Sequence, residues 1–161
     1  MAGWLCHERS PSSSTVRRSD GPTVLIMKRY VRREASARCA MCADSGWTAP
    51  ECPGHRYAIL PGGHVEAGEG YEEAALRELR EETTLEARIS HLLWTGTHNG
   101  RPASYFLMTD VTGSVLLSGE EAQANSPTNS YELVWVTAEA FDSLNLHPAE
   151  IRQPLAELLR G

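Results

Sequence analysis

The sequence has no long hydrophobic run: its apolar stretches, such as Val24 to Met27 and Val115 to Leu117, are only a few residues long. A membrane-spanning helix needs about 20 such residues, so no membrane partner is expected. The N-terminus carries Arg9, Arg17 and Arg18 without an apolar core behind them. That pattern argues against a secretory signal and for a cytoplasmic protein. A continuous basic footprint is also missing, which argues against nucleic acid as a partner. Arg29, Arg32, Arg33 and Arg38 form a short positive stretch that is read as a solvated loop or as a contact for phosphates. No segment repeats. Aromatic residues make up 7% of the 161 residues, and the 41% hydrophobic content is ordinary for a globular chain, so neither a fibre nor a disordered tail fits. This length suits one domain.

The net charge of −6 is unevenly placed. Residues 66–86 hold eight glutamates and two arginines, whereas residues 1–60 hold nine basic and five acidic residues. Residues 1–12 read as a flexible terminus and 13–160 as the domain. Thr15 to Arg18 and Thr23 to Met27 are expected strands, joined by a turn at Asp20-Gly21-Pro22. Residues 31–55 lack periodicity and read as an insertion. Tyr57 to Leu60 is a short strand stopped by Pro61-Gly62-Gly63. Tyr71 to Thr83 is rich in Ala, Leu, Glu and Arg and predicts a helix, with Gly70 as a weak N-cap. His98-Asn99-Gly100-Arg101 between two strand-like runs predicts a hairpin. Residues 113–130 read as a long loop with at most a short strand. Tyr131 to Val136 reads as a strand, Thr137 as the cap of a short helix, and Pro148 to Leu159 as a helix packed on the sheet.

On the predicted helix, Glu78, Glu81 and Glu82 fall within a face about 100° wide. Like charges so close oppose a helix unless something positive sits between them. A hard divalent cation is one answer, because Mg²⁺ or Mn²⁺ prefers oxygen ligands. A solvated acidic face is the other. From Gly63 the chain runs through five residues to Glu69, then seven more to Arg77-Glu78-Leu79-Arg80-Glu81-Glu82-Thr83-Thr84-Leu85. This resembles the Nudix box, G-x5-E-x7-R-E-U-x-E-E-x-G-U with U aliphatic, at eight of its nine specified positions. The exception is Thr84, which replaces a glycine that ends the helix in a left-handed conformation, so the helix is expected to end differently or with strain.

The resemblance implies an α/β/α sandwich with a mixed β-sheet between helices. It also implies metal-dependent hydrolysis of a nucleoside diphosphate linked to another group, either a nucleoside triphosphate, damaged ones included, or a nucleotide-sugar-like diphosphate. Glu78, Glu81 and Glu82 match the family's metal-binding carboxylates, with a carbonyl of Gly62 or Gly63 completing the shell, while Arg77 and Glu69 match a bracing pair. Gly62, Gly63 and His64 form the turn that would meet substrate, although an exposed bystander is the plainer reading of His64. The proton acceptor is left open among the box glutamates, Glu120, Glu121 and Glu132. A Nudix-fold sensor without turnover is the alternative function, and relatives are often homodimers. Trp94, Tyr105, Phe106 and Trp135 are expected in the core, with stacking on a base as the alternative for one of them. Separately, Cys39-x2-Cys42 and Cys52-x2-His55 offer ligand types and spacing for tetrahedral Zn²⁺; reduced thiols beside an unrelated histidine are the other reading.

Overall fold

In a computed structural model, residues 2–8 are described by their backbone, and residues 22–34, 38–47, 50–98 and 100–161 in full. The strand expected over Thr15 to Arg18 and the turn at Asp20-Gly21 lie outside these residues. Eight strands and four helices follow in the order β1 (Ala2–Glu8), β2 (Thr23–Val31), α1 (Ala40–Asp44), β3 (His55–Ile59), β4 (Gly62–Gly63), α2 (Tyr71–Thr83), β5 (Glu86–His98), β6 (Arg101–Thr112), α3 (Gly119–Ala124), β7 (Asn129–Val136), β8 (Leu146–His147) and α4 (Arg152–Arg160). None of these helices is long and apolar enough to cross a membrane.

The sheet is mixed. β1 runs parallel to β6, and β3 parallel to β8, while every other named pairing is antiparallel. β2 sits at the centre because it is apolar on both faces, as a strand covered on both sides must be. One edge of β2 pairs with β7 from Val24 to Val31; the other is shared, β1 taking Thr23 and Val24 and β3 taking Met27 to Val31. Alternation then assigns the core to two faces. Val24 and Ile26 join Tyr105, Leu146, Ile151, Leu155 and Leu159 under α4, whereas Leu25 joins Ala74, Ala75, Leu79, Phe106 and Met108 under α2. The result is the expected α/β/α sandwich. Leu79 is fully buried, and its burial contributes about 1.5–3 kcal/mol.

The helix predicted from Tyr71 to Thr83 is present with those bounds. At its start, Glu73 Oε2 accepts the Gly70 N–H at 2.9 Å, the half of a capping box that needs no side chain on Gly70. β5 and β6 form the predicted hairpin with His98 opposite Arg101. Two expectations are corrected. Ala2–Glu8, within the terminus expected to be flexible, is a strand, since the edge of β6 offers it a parallel partner from Ser104 to Met108. Residues 113–130, expected to be loop with at most a short strand, also hold the short helix α3, and β7 begins within them at Asn129. The six residues of α3 carry Ser118 at the N-cap and Glu121 three positions later, a start signal without an apolar stripe behind it.

Candidate functional site

The Leu60-Pro61 step follows β3 and carries Gly62 and Gly63 across to the C-terminal half of α2. Close approach is built in there: a Cβ on Gly63 would collide with the Glu78 carboxylate. The Gly62 N–H donates to Glu82 Oε2 at 3.1 Å. The two glycines thus bring backbone against two of the three clustered glutamates, which is how a carbonyl in this turn comes near them.

Arg77 holds the rest. Its Nε and Nη2 donate to the two oxygens of Glu69, both at 2.9 Å, and Nη2 also donates to the His64 carbonyl at 2.9 Å. Its Nη1 reaches Glu78 Oε1 at 2.9 Å and Glu81 Oε2 at 3.0 Å. Glu69 in turn accepts the Glu66 N–H at 3.0 Å. The bond to Arg77 holds the Glu69 carboxyl below the usual carboxylate range, and Glu69 is the main reason that the Arg77 guanidinium is held above its own. A forked cation thus fixes the loop to the helix.

Glu82 is the outlier, being only 5% exposed. Burial pushes its carboxyl up to about 9, the charges of Glu121 and Glu78 add to the push, and the Gly62 N–H and the Arg29 charge oppose it. Glu78 is also raised, first by burial and then by Glu81 and Glu121, against the pull of Arg77. Of the candidate proton acceptors, therefore, Glu121 is brought into the field of the box glutamates. Glu120 is exposed on α3, and Glu132 pairs with Lys28 Nζ at 2.7 Å. The donor set is all hard oxygen, with a buried carboxylate short of positive partners. These residues fit a divalent cation of the Mg²⁺ type, which Glu78, Glu81, Glu82 and a glycine carbonyl would hold.

The approach of Glu121 depends on the end of α2. Thr84 adopts the left-handed conformation, φ 60° and ψ 13°, and its N–H bonds to Arg80 O at 3.0 Å. The helix therefore ends as a glycine would end it, and strain is what Thr84 carries. A strap from residues 114–118 offsets that strain. Ser114 O accepts from Thr84 Oγ1 at 2.8 Å, Leu116 N–H donates to Thr83 O at 3.0 Å, and Ser118 N–H donates to Glu82 O at 3.0 Å, while Ser118 Oγ caps Glu81 O. The free carbonyls of the helix end are thereby satisfied. Gly119 follows with φ 69°, and a Cβ there would sit 2.9 Å from Glu81 O. α3, and with it Glu121, is bound directly to the last turn of α2, which carries Glu81 and Glu82.

Arg29, one of the four arginines expected in a solvated loop or at a contact for phosphates, is on a strand. It lies on β2 on the α2 face, in the same alternation as Leu25. Its guanidinium stacks 3.6 Å from the Tyr131 ring centre, donates from Nη2 to Asn129 Oδ1 at 2.9 Å, and acts on the Glu82 charge. The signal was present in the strand alternation, but its partners lie about 100 residues away. His64 is exposed, and its Nε2 accepts from Arg101 Nη1 at 2.9 Å, so its ring is tied to the β5–β6 hairpin. Phe106 and Trp135 pack under α2; Tyr105 and Trp94 stack at 5.5 Å under α4. Cys39, Cys42, Cys52 and His55 come together as a separate group.

Known proteins are similar to this chain in sequence or in fold. An ADP-ribose pyrophosphatase from Methanocaldococcus jannaschii is 39% identical over 69 residues, which span 40% of this chain and 41% of that protein. Solved structures match over nearly the whole chain at low identity, which bears on the fold alone. The E. coli ORF135 protein superposes with a TM-score of 0.55 at 21% identity over 97% of this chain and 84% of its own. A MutT NUDIX hydrolase from Burkholderia pseudomallei gives 0.54 at 22% over 96% and 97%. The C. elegans Ap4A hydrolase gives 0.51 at 18% over 99% and 92%. The family model for the NUDIX domain matches residues 13–159. With that match laid over a braced glutamate helix, the chain belongs to the NUDIX domain family.

Proposed function

We propose that this enzyme hydrolyses a pyrophosphate bond in a nucleoside diphosphate linked to a second group, by attack of water on phosphorus. The observation that carries the reading is the gathering of Glu78 and Glu121 around the buried, undercompensated carboxylate of Glu82. Phosphoryl transfer needs positioning and charge neutralisation more than covalent help from the protein. A bound divalent cation supplies the positive charge that offsets the phosphates and makes water acidic enough to attack. Glu78, Glu81 and Glu82 hold that charge at the helix face. Arg77 and Glu69 keep the helix and the glycine turn in register, so the carboxylates need not reorganise. Glu121, carried on α3 beside them, accepts the proton of the attacking water. Arg29 adds a fixed positive charge on the floor of the site. We favour a nucleotide-sugar-like diphosphate as substrate, since the archaeal relative carries the name of an ADP-ribose pyrophosphatase.

The test is release of nucleoside monophosphate and phosphate from ADP-ribose, nucleotide sugars, nucleoside triphosphates and dinucleoside polyphosphates, with Mg²⁺ or Mn²⁺ and with chelator. Cleavage that needs the metal and is lost in Glu82→Gln, with circular dichroism unchanged, supports the reading. Unchanged turnover in Glu82→Gln removes the metal face, and tight binding of nucleotides without turnover replaces the enzyme by a sensor.

A further inference from the structure

Between β2 and β3 the chain leaves both core clusters. Among the described residues of this segment, the buried side chains are Cys39, Cys42 and Cys52, with Met41 packed against them. Three small thiols are too little apolar surface to fold a segment of this length, and small units without a core are usually held by a metal or by disulfides. The local structure aims the four ligand-type residues at one point. Cys39 is the N-cap of α1 and Cys42 lies in its first turn, so one helical turn sets both sulfurs on the same side. His55 opens β3, where pairing with Val31 fixes it. Cys52 arrives from the returning limb, and its sulfur accepts the N–H groups of Gly54, at 3.4 Å, and of Arg33.

The four ligand atoms all lie within 4.8 Å of one another. Cys39 Sγ and Cys52 Sγ are 3.8 Å apart, and Cys42 Sγ lies 3.1 Å from His55 Nε2. A regular tetrahedron with Zn–S of about 2.3 Å and Zn–N of about 2.0–2.1 Å has edges of about 3.8 Å between sulfurs and about 3.6 Å between sulfur and nitrogen. The sulfur pair is on that edge already, and the sulfur–nitrogen pair needs about half an ångström. We propose that Cys39, Cys42, Cys52 and His55 bind one Zn²⁺ in a closed, four-coordinate structural site that folds the β2–β3 connection. All four positions are filled by protein, so the site has no place for water or substrate. Soft thiolates also separate it from the hard-oxygen face of α2, so the two sites sort their metals by chemistry. This inference stands whether or not the pyrophosphatase reading does.

The experiment is elemental analysis of the reduced full chain after dialysis against excess Mg²⁺, followed by replacement of the bound metal with Co²⁺. One zinc per chain, and the visible absorption of tetrahedral cobalt with thiolate charge-transfer bands, are expected. The Cys42→Ser, Cys52→Ser double variant should lose the stoichiometric zinc and those bands. So that the test does not rest on the folding of that variant, the unaltered protein is also titrated with a thiol reagent, in which case zinc should protect three thiols that chelator then exposes. Zinc near zero with no cobalt–thiolate bands, full zinc retained in the double variant, or thiols equally reactive with and without zinc would each overturn the proposal.

Discussion

Arg77 joins Glu69, the His64 carbonyl, Glu78 and Glu81 through three nitrogens. A lysine has the charge without the fork. Arg77→Lys is therefore expected to lower turnover or Mg²⁺ affinity about 10- to 100-fold, measured as kcat against metal concentration, while the melting temperature moves little. The same pair sets an acid limb. Because the folded Glu69 carboxyl is held below its unfolded range, its contribution is present above that range and is lost as pH falls through the folded value. Unfolding by urea at stepped pH should show a decline below about pH 5 that Glu69→Gln flattens. A parallel decline in both proteins would assign the acid limb to other carboxylates. These contacts were legible in the sequence because Glu69, Arg77, Glu78, Glu81 and Glu82 lie within one loop and one helix, where spacing alone dictates which side chains meet. Arg29 and Tyr131 were not, since their meeting depends on strand register between distant segments.

Among the elements, α2 is the one that periodicity and composition reveal in full. α3 was hidden because six residues with two adjacent glutamates carry no apolar pattern, and because its anchoring bonds come from carbonyls of another helix. The strap explains how a threonine fills a glycine position. Thr84→Gly relieves the left-handed strain and removes the bond to Ser114, so its stability should change by no more than about 1 kcal/mol. Gly119→Ala is the opposite case, with its Cβ against Glu81 O and an unfavourable φ. It should cost roughly 1–3 kcal/mol and reduce turnover by displacing Glu121. Denaturant titration with parallel rate measurement on both variants checks this. A harmless Gly119→Ala would mean that α3 is free to shift without consequence for the site.

At the scale of the molecule, two cores share one central strand, so β2 links the α4 face to the α2 face and the site rests on both. β1 completes the sheet by pairing with β6, β2 and β4 together. Removing residues 1–8 leaves Ser104 to Met108 unpaired along that edge and is expected to lower stability by more than about 2 kcal/mol, several degrees in melting temperature. Calorimetry of the shortened chain checks it. The register of β1 against β6 also fixes an order in time. Ala2 faces Ser104 and Cys6 faces Met108, so partners about 100 residues apart must both exist before that ladder can close. At synthesis rates of about 5–20 residues per second, β1 waits roughly 5–20 s for β6. Its antiparallel pairing with β2, at His7 opposite Val24, is available far sooner. The central strand is therefore the seed on which the first strand is held until the last-arriving half of the sheet is made.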